Sequence, residues 1–461
     1  MRRTLVLNVV GLSPGLVGAH TPNLARLAAG GGLRPLRTVL PALTCSAQST
    51  FITGLLPRDH GIVGNGWYFR DLAEVLFWRQ SNALVAGEKI WEAGRRRDPS
   101  FTCAKLFWWY NMYAGVDIAV TPRPMYPADG RKIPDVHTYP ARLRDDLTAR
   151  LGRFPLFRFW GPLADITSSD WIARCAAYVF AEYAPTLTLV YLPHLDYDLQ
   201  RFGPDEPRIA PALGAIDALC GALIDQATAA GAAVLVLSEY GMTPVTSAVL
   251  PNRALRRAGL LAVREELGRE LLDAGASAAF AVCDHQVAHV YVRRREDVPA
   301  VASLIAGLDG VESVLDGEGK RAVGLDHPRS GELVAISRGD RWFAYPYWLD
   351  DARAPDFATT VDIHRKPGYD PVELFLDPKL RAPKLAVGWR LAKKAVGLRT
   401  LMDVIPLTPE LVRGSHGRLT ERDEDGPLVI SSEPELLPDG AIAATAVKDL
   451  MLTHVFAGSC P

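Results

Sequence analysis

Short apolar runs alternate with stretches of helical spacing along most of this chain. Residues 4–10, 101–107, 186–192 and 233–238 read as strands of the length expected when both faces are buried. Thr21-Pro22-Asn23-Leu24 opens a helix, with a cap residue followed by Pro at the first helical position. Residues 170–183 and 210–230 predict two further helices, each leading into one of those strands. Repeated helix-then-strand units predict an α/β fold, a mainly parallel central sheet with helices on both faces. In such sheets chemistry gathers at the carboxyl ends of the strands.

The texture changes after residue 275. Strand-like runs at 287–292, 311–314 and 333–336, with a helix at 298–308, predict a small α+β insertion lying as a cap over the site. The chain then returns to the main sheet through Gly414-Ser415-His416-Gly417 and a strand at 428–431. The expected organisation is a first core segment at 1–275, the cap insertion and a basic amphipathic segment at 276–400, and a core return at 401–461. No low-complexity linker divides the chain.

An apolar fraction of 48% and a charged fraction of 22% over 461 residues are those of an ordinary globular protein. The 51 basic and 52 acidic residues nearly cancel, so no global field attracts nucleic acid. Cys45, Cys103, Cys175, Cys220, Cys283 and Cys460 have no CxxC spacing and read as reduced core thiols, an expectation of cytoplasmic location. The start, MRRTLVLNVVGL, reads as a buried first strand rather than a signal peptide. No uninterrupted run of 18 apolar residues predicts a membrane span.

Residues 41–65, PALTCSAQSTFITGLLPRDHGIVGN, carry the sharpest chemical signal. A hydroxyl at a helix N-terminus lies beside unpaired N–H groups and the positive end of the dipole, a setting that suits a phosphoryl group. Thr44 has that position, and a simple capping role is the alternative. Thr44, Thr53-Gly54, Pro57 and His60-Gly61-Ile62 together resemble the nucleophile segment of the alkaline phosphatase superfamily, in its nucleotide pyrophosphatase/phosphodiesterase branch. The resemblance implies an alkaline-phosphatase-like core, a Thr nucleophile, and divalent metal ions, one or two of Zn, Mn or Mg, held on strand ends.

The resemblance also implies a ligand set, which this sequence matches unevenly. Asp196 holds its place with Gly203-Pro204 after it, but Gln200 stands where the family has His. Glu239-Tyr240-Gly241-Met242 replaces Asp-His-Gly-Met. Val10 precedes Gly11 where Asp is expected, and Asn8, on the same strand face, offers an amide oxygen or is a satisfied polar group of the first loop. His416 matches the final His. Asp196, His416 and Gln200 are thus candidates for one ion, and Thr44, Glu239 and Asn8 for a second, all-oxygen site better suited to Mg²⁺, Mn²⁺ or Ca²⁺ than to Zn²⁺. Asp362 and His364, spaced for one strand face, and His285, beside Asp284 and near His289, are possible additional ligands; structural ion pairs are the alternative.

Asn65, Trp67, Tyr68 and Trp108 are candidates for the wall that holds the organic half of a substrate, with packing beneath the cap as the alternative. Residues 384–399, KLAVGWRLAKKAVGLR, form a basic amphipathic segment, read as a helix with its apolar stripe on the core or as a peripheral membrane contact. The functional expectation is a metal-dependent phosphoester hydrolase acting on a small phosphorylated substrate. A catalytically silent relative that binds a phosphorylated metabolite or partner protein, or a phosphoryl transferase, is the alternative.

Overall fold

A computed structural model describes residues 1–205, 207–395, 397–398 and 400–457. Cys460, and Val396 and Arg399 of the basic segment, lie outside the described residues.

Nine strands form the main sheet, in the order Ile442–Ala443, Leu33–Arg37, Leu428–Ser431, Ala233–Leu237, Thr4–Val9, Leu187–Leu192, Cys103–Leu106, Ile118–Pro122, Val136–Tyr139. Its centre is parallel: Thr4–Val9 pairs with Leu187–Leu192 on one side and Ala233–Leu237 on the other, and Cys103–Leu106 continues the parallel run to Ile118–Pro122. Leu428–Ser431 and Val136–Tyr139 join antiparallel. The two central strands Thr4–Val9 and Leu187–Leu192 are buried along their whole length, the condition that an unbroken apolar run satisfies.

Helices Ile166–Glu182 and Ala210–Ala229 precede their strands as the spacing predicts. Pro207–Ala229 has the length and hydropathy of a membrane span, although polar residues interrupt its apolar positions. In this fold half of it is buried against the core. Its Asp217 reaches across to accept the Asn23 and Leu24 N–H groups at 3.1 and 2.9 Å, so this carboxylate, rather than Thr21, closes the start of helix Pro22–Gly31.

The insertion is a separate antiparallel sheet in the order Ala279–Asp284, Val287–Val292, Leu333–Ser337, Val311–Leu315, with helix Val298–Ala306 packed on it. Its apolar core also takes in Val249, Leu255 and Leu261 from the chain before it, and Phe77 from a hairpin much earlier in the chain. The two-residue loop His285-Gln286 joins its first two strands, with His285 at φ 59°. The Gln286 N–H donates to the His416 carbonyl at 2.8 Å, which ties this hairpin to the return segment of the core.

Candidate functional site

The carboxyl ends of Thr4–Val9, Leu187–Leu192 and Ala233–Leu237 face one edge of the sheet and bring Asn8, Asp196 and Glu239 together with Thr44 from the loop-to-helix turn. Thr44 is the first residue of helix Thr44–Thr53; Leu43 occupies the cap position. The Thr44 hydroxyl leaves the helix altogether and meets the Tyr240 hydroxyl at 3.3 Å, so the capping alternative does not hold. The first-turn N–H of Cys45 is satisfied instead by Asn65 Oδ1 at 3.0 Å.

Two buried carboxylates flank Thr44. Glu239 Oε1 accepts from Asn8 Nδ2 at 2.5 Å and from Gln48 Nε2 at 2.6 Å. Glu239 Oε2 and Asn8 Oδ1 are buried and find no hydrogen-bond partner among the described residues. Asp196 lies in the first turn of helix His194–Phe202, where its Oδ1 accepts from Tyr240 at 3.2 Å and its Oδ2 from Gln200 Nε2 at 2.6 Å, one helical turn on. Loss of solvation pushes both carboxyls up to about 7, against the opposing pull of these donors.

His416 comes from the return segment. Gly414, where a Cβ would lie 2.1 Å from the Leu199 carbonyl oxygen, lets that segment press against the helix of Asp196. His416 Nδ1 lies 2.8 Å from the Ala42 carbonyl, which only accepts, so Nδ1 holds the ring proton and Nε2 presents its lone pair 4.0 Å from Asp196 Oδ1. The Tyr240 ring covers the His416 ring face to face at 3.4 Å. His285 reaches in from the cap hairpin, 3.7 Å from His416 and stacked at 3.7 Å on Tyr369. Its Nδ1 bonds Asp284 at 2.9 Å while Nε2 has no hydrogen-bond partner among the described residues. Burial holds both imidazoles well below their ordinary range.

Other candidates fall elsewhere. Asp362-Ile363-His364 is a turn, not a strand: Asp362 pairs with Arg365 at 3.9 Å, and His364 Nδ1 lies 3.4 Å from the Phe77 carbonyl. Trp108 is fully buried in the main core. Trp67 lies in a smaller core, stacked on Phe69 with the Arg329 guanidinium over its ring. Tyr68 sets its edge against Phe280 and Tyr291. Trp67 and Tyr68 pack on opposite sides of strand Gly66–Phe69 because each face of that strand meets an apolar cluster, and Trp108 packs in the loop after strand Cys103–Leu106. Asn65 is engaged with Cys45 and Asp284, so it fixes the start of helix Thr44–Thr53. His289 bonds the Val63 carbonyl and the Gly331 N–H.

Several site residues escape sequence reasoning. Gln48 links Glu239 to the Trp109 N–H, which it accepts at 2.7 Å. Its spacing, four residues after Thr44 on one helix face, is the signal that could have found it. Tyr369, itself buried, donates to Gln200 Oε1 at 3.0 Å and lies at the centre of an aromatic group with the partly buried Trp78 and Trp160, ring centroids 6.0 and 5.7 Å away. Trp109 continues that group beside Trp78. Lys105, wholly buried, donates to the Trp109 and Tyr110 carbonyls at 2.8 and 2.9 Å and so holds this loop in place.

The donor set decides which cations fit. The paired centre implied by the resemblance does not: Val10 has no donor, Tyr240 has its ring on His416 and its hydroxyl on Asp196, and Gln200 meets Asp196 through its nitrogen, which cannot ligate. Among the described residues no group of three His, Cys, Asp or Glu is arranged around a metal position. The unpartnered Glu239 Oε2 and Asn8 Oδ1, with the Thr44 hydroxyl near them, do fit one hard, oxygen-seeking cation.

The sequence model of the family described as Type I phosphodiesterase / nucleotide pyrophosphatase matches residues 4–370. An uncharacterized pyrophosphatase/phosphodiesterase of Schizosaccharomyces pombe is 26% identical over 240 residues, which span 50% of this chain and 42% of that protein. Among solved structures, phosphonoacetate hydrolase from Sinorhizobium meliloti in complex with phosphonoformate superimposes with a TM-score of 0.63 at 16% identity, covering 98% of this chain and 96% of that one. Inactive murine ectonucleotide pyrophosphatase/phosphodiesterase 5 in complex with AMP does so with 0.60 at 15% identity, covering 99% and 95%. These likenesses show the alkaline-phosphatase-like fold over nearly the whole chain.

Proposed function

The chain belongs to the Type I phosphodiesterase / nucleotide pyrophosphatase family, a family of phosphoester hydrolases, and from that premise we propose that it cleaves diester or pyrophosphate bonds in a small organic phosphate with Thr44 as nucleophile. The observation that carries this reading is the direction of the Thr44 hydroxyl, out of its helix and toward Tyr240 and Asp196. Thr44 Oγ1 attacks phosphorus in line with the leaving oxygen, whose bond to phosphorus breaks as the phosphothreonine forms. The Thr44 proton passes to the Tyr240 oxygen as the Tyr240 proton passes to Asp196 Oδ1, a carboxylate tuned near neutrality by burial. The leaving oxygen takes its proton from solvent; water then attacks the phosphothreonine and releases the organic phosphate monoester, and Thr44 regains its proton from Asp196 through Tyr240.

Glu239, Asn8 and Thr44 would hold a divalent cation, which supplies charge against the transferring phosphoryl oxygens. Tyr369, Trp78, Trp109 and Trp160 form the aromatic wall against which the organic half packs. With aryl phosphodiester and phosphonate ester substrates and Mn²⁺, Mg²⁺ or Zn²⁺, Thr44→Ala is expected to lower turnover at least about a hundredfold. Wild-type protein inactive with every cation overturns the proposal.

A second reading, a silent relative that binds a phosphorylated metabolite, is favoured by one observation: Tyr240 covers His416 where the family has a ligand. Nucleotide binding that survives Thr44→Ala, without turnover in wild type, selects it.

A further inference from the structure

Helix Pro383–Ala395 is turned inside out. Its inward side carries Arg390, whose guanidinium donates to Asp403 at 2.6 Å, and Val387, which packs on a small apolar cluster. Its outward side carries Leu385 and Trp389, one helical turn apart and 76% and 63% exposed, while Leu391 is exposed on another flank. Leu398 and Leu401 extend the exposed apolar surface past the helix end. The reading of this stripe as core packing is therefore overturned: water bathes the residues that a core would cover. Exposed apolar side chains in a continuous group are costly in water and mark a contact surface.

Charge identifies what makes the contact. From Pro378 to Met402 the sequence has seven Lys and Arg and no Asp or Glu, in a chain whose net charge is −1. Lys393 Nζ lies over the Trp389 ring at 5.1 Å, so a cation flanks the apolar face itself. We propose that this helix lies in the interface of an anionic lipid membrane, with Leu385 and Trp389 in the acyl boundary and the Lys393 ammonium beside them among the headgroups. Thirteen residues, about 20 Å of helix, are too short to span a bilayer but suit lying in its surface. A second copy of this chain is the poorer occupant, because a twofold contact would press the same basic segments together. The proposal stands apart from the phosphoester chemistry and survives or fails independently of it.

The test is sedimentation of the full chain with phosphatidylcholine vesicles, with and without about one-third phosphatidylserine. At about 0.1 M salt the protein is expected to partition onto the anionic vesicles and to leave them as salt rises several-fold. Leu385→Glu with Trp389→Glu is expected to lower that partitioning at least tenfold with unchanged thermal unfolding, because both side chains are exposed, and Lys393→Glu to lower it several-fold. Absence of binding to anionic vesicles overturns the proposal, as does equal binding to neutral ones. A concentration-dependent dimer abolished by the same double substitution assigns the face to a second copy and also overturns it.

Discussion

At the scale of single residues, Tyr240 is where this chain departs most from the pattern it resembles. An imidazole at that position would offer a lone pair to a cation; the phenol instead stacks on His416 and joins the Thr44 and Asp196 oxygens through one hydroxyl. Tyr240→Phe keeps the stack and removes only that bridge. It is expected to cost about 1 kcal/mol of stability, since one buried hydrogen-bonded hydroxyl is lost and Asp196 keeps Gln200. If the hydroxyl carries the Thr44 proton, kcat falls at least about tenfold with little change in KM. A kcat within twofold of wild type would show that Thr44 is activated without it. Of the site residues, Thr44, Asp196, Glu239 and His416 were legible because each lies in a short motif. Gln48 and Tyr369 were not, since neither residue type marks chemistry until its partner is known.

At the scale of elements, strands and helices were legible almost throughout, because unbroken apolar runs and cap-plus-Pro starts are local signals. The turn at 360–375 was not. It reads as a DxH strand, yet what orders it is a buried ion cluster: Lys366 lies 2.7 Å from both Asp370 and Glu373, and Glu373 also accepts from Trp160 Nε1 and from the Asp362 N–H. This cluster fixes the segment that carries Tyr369 onto His285. Lys366→Met leaves two carboxylates buried without their cation, and thermal or urea unfolding is expected to show a loss of about 3–5 kcal/mol. A loss under about 1 kcal/mol would mean that the cluster is not what holds the turn.

At the scale of the whole molecule, the central loop ends are supported by Lys105, which has no carboxylate partner among the described residues. Burial lowers Lys105 to about 7 from an ordinary value of 10.5. Above pH of about 7 the unfolded chain therefore holds a proton that the folded chain lacks, so this residue makes stability rise with pH. Between about pH 7 and 8, below the ionisation of unfolded cysteines, its contribution is a gain of about 1 kcal/mol. Denaturant unfolding of wild type and Lys105→Met at both pH values is expected to show that gain in the difference between them; parallel changes would place the Lys105 titration outside this range. The sequence by itself determined the parallel α/β core, the position of Thr44 at a helix start and the charge pattern of residues 378–402, because runs, caps and charge are properties of neighbouring residues. Tertiary structure alone decided that His285 enters from the cap, that Tyr369 meets Gln200, that Trp67 and Trp108 are core while Tyr68 packs against the inserted sheet, and that the basic helix shows its apolar side to water. Each of those facts depends on how segments far apart in the chain are brought together and on which face each one turns to the other, and local spacing does not encode either.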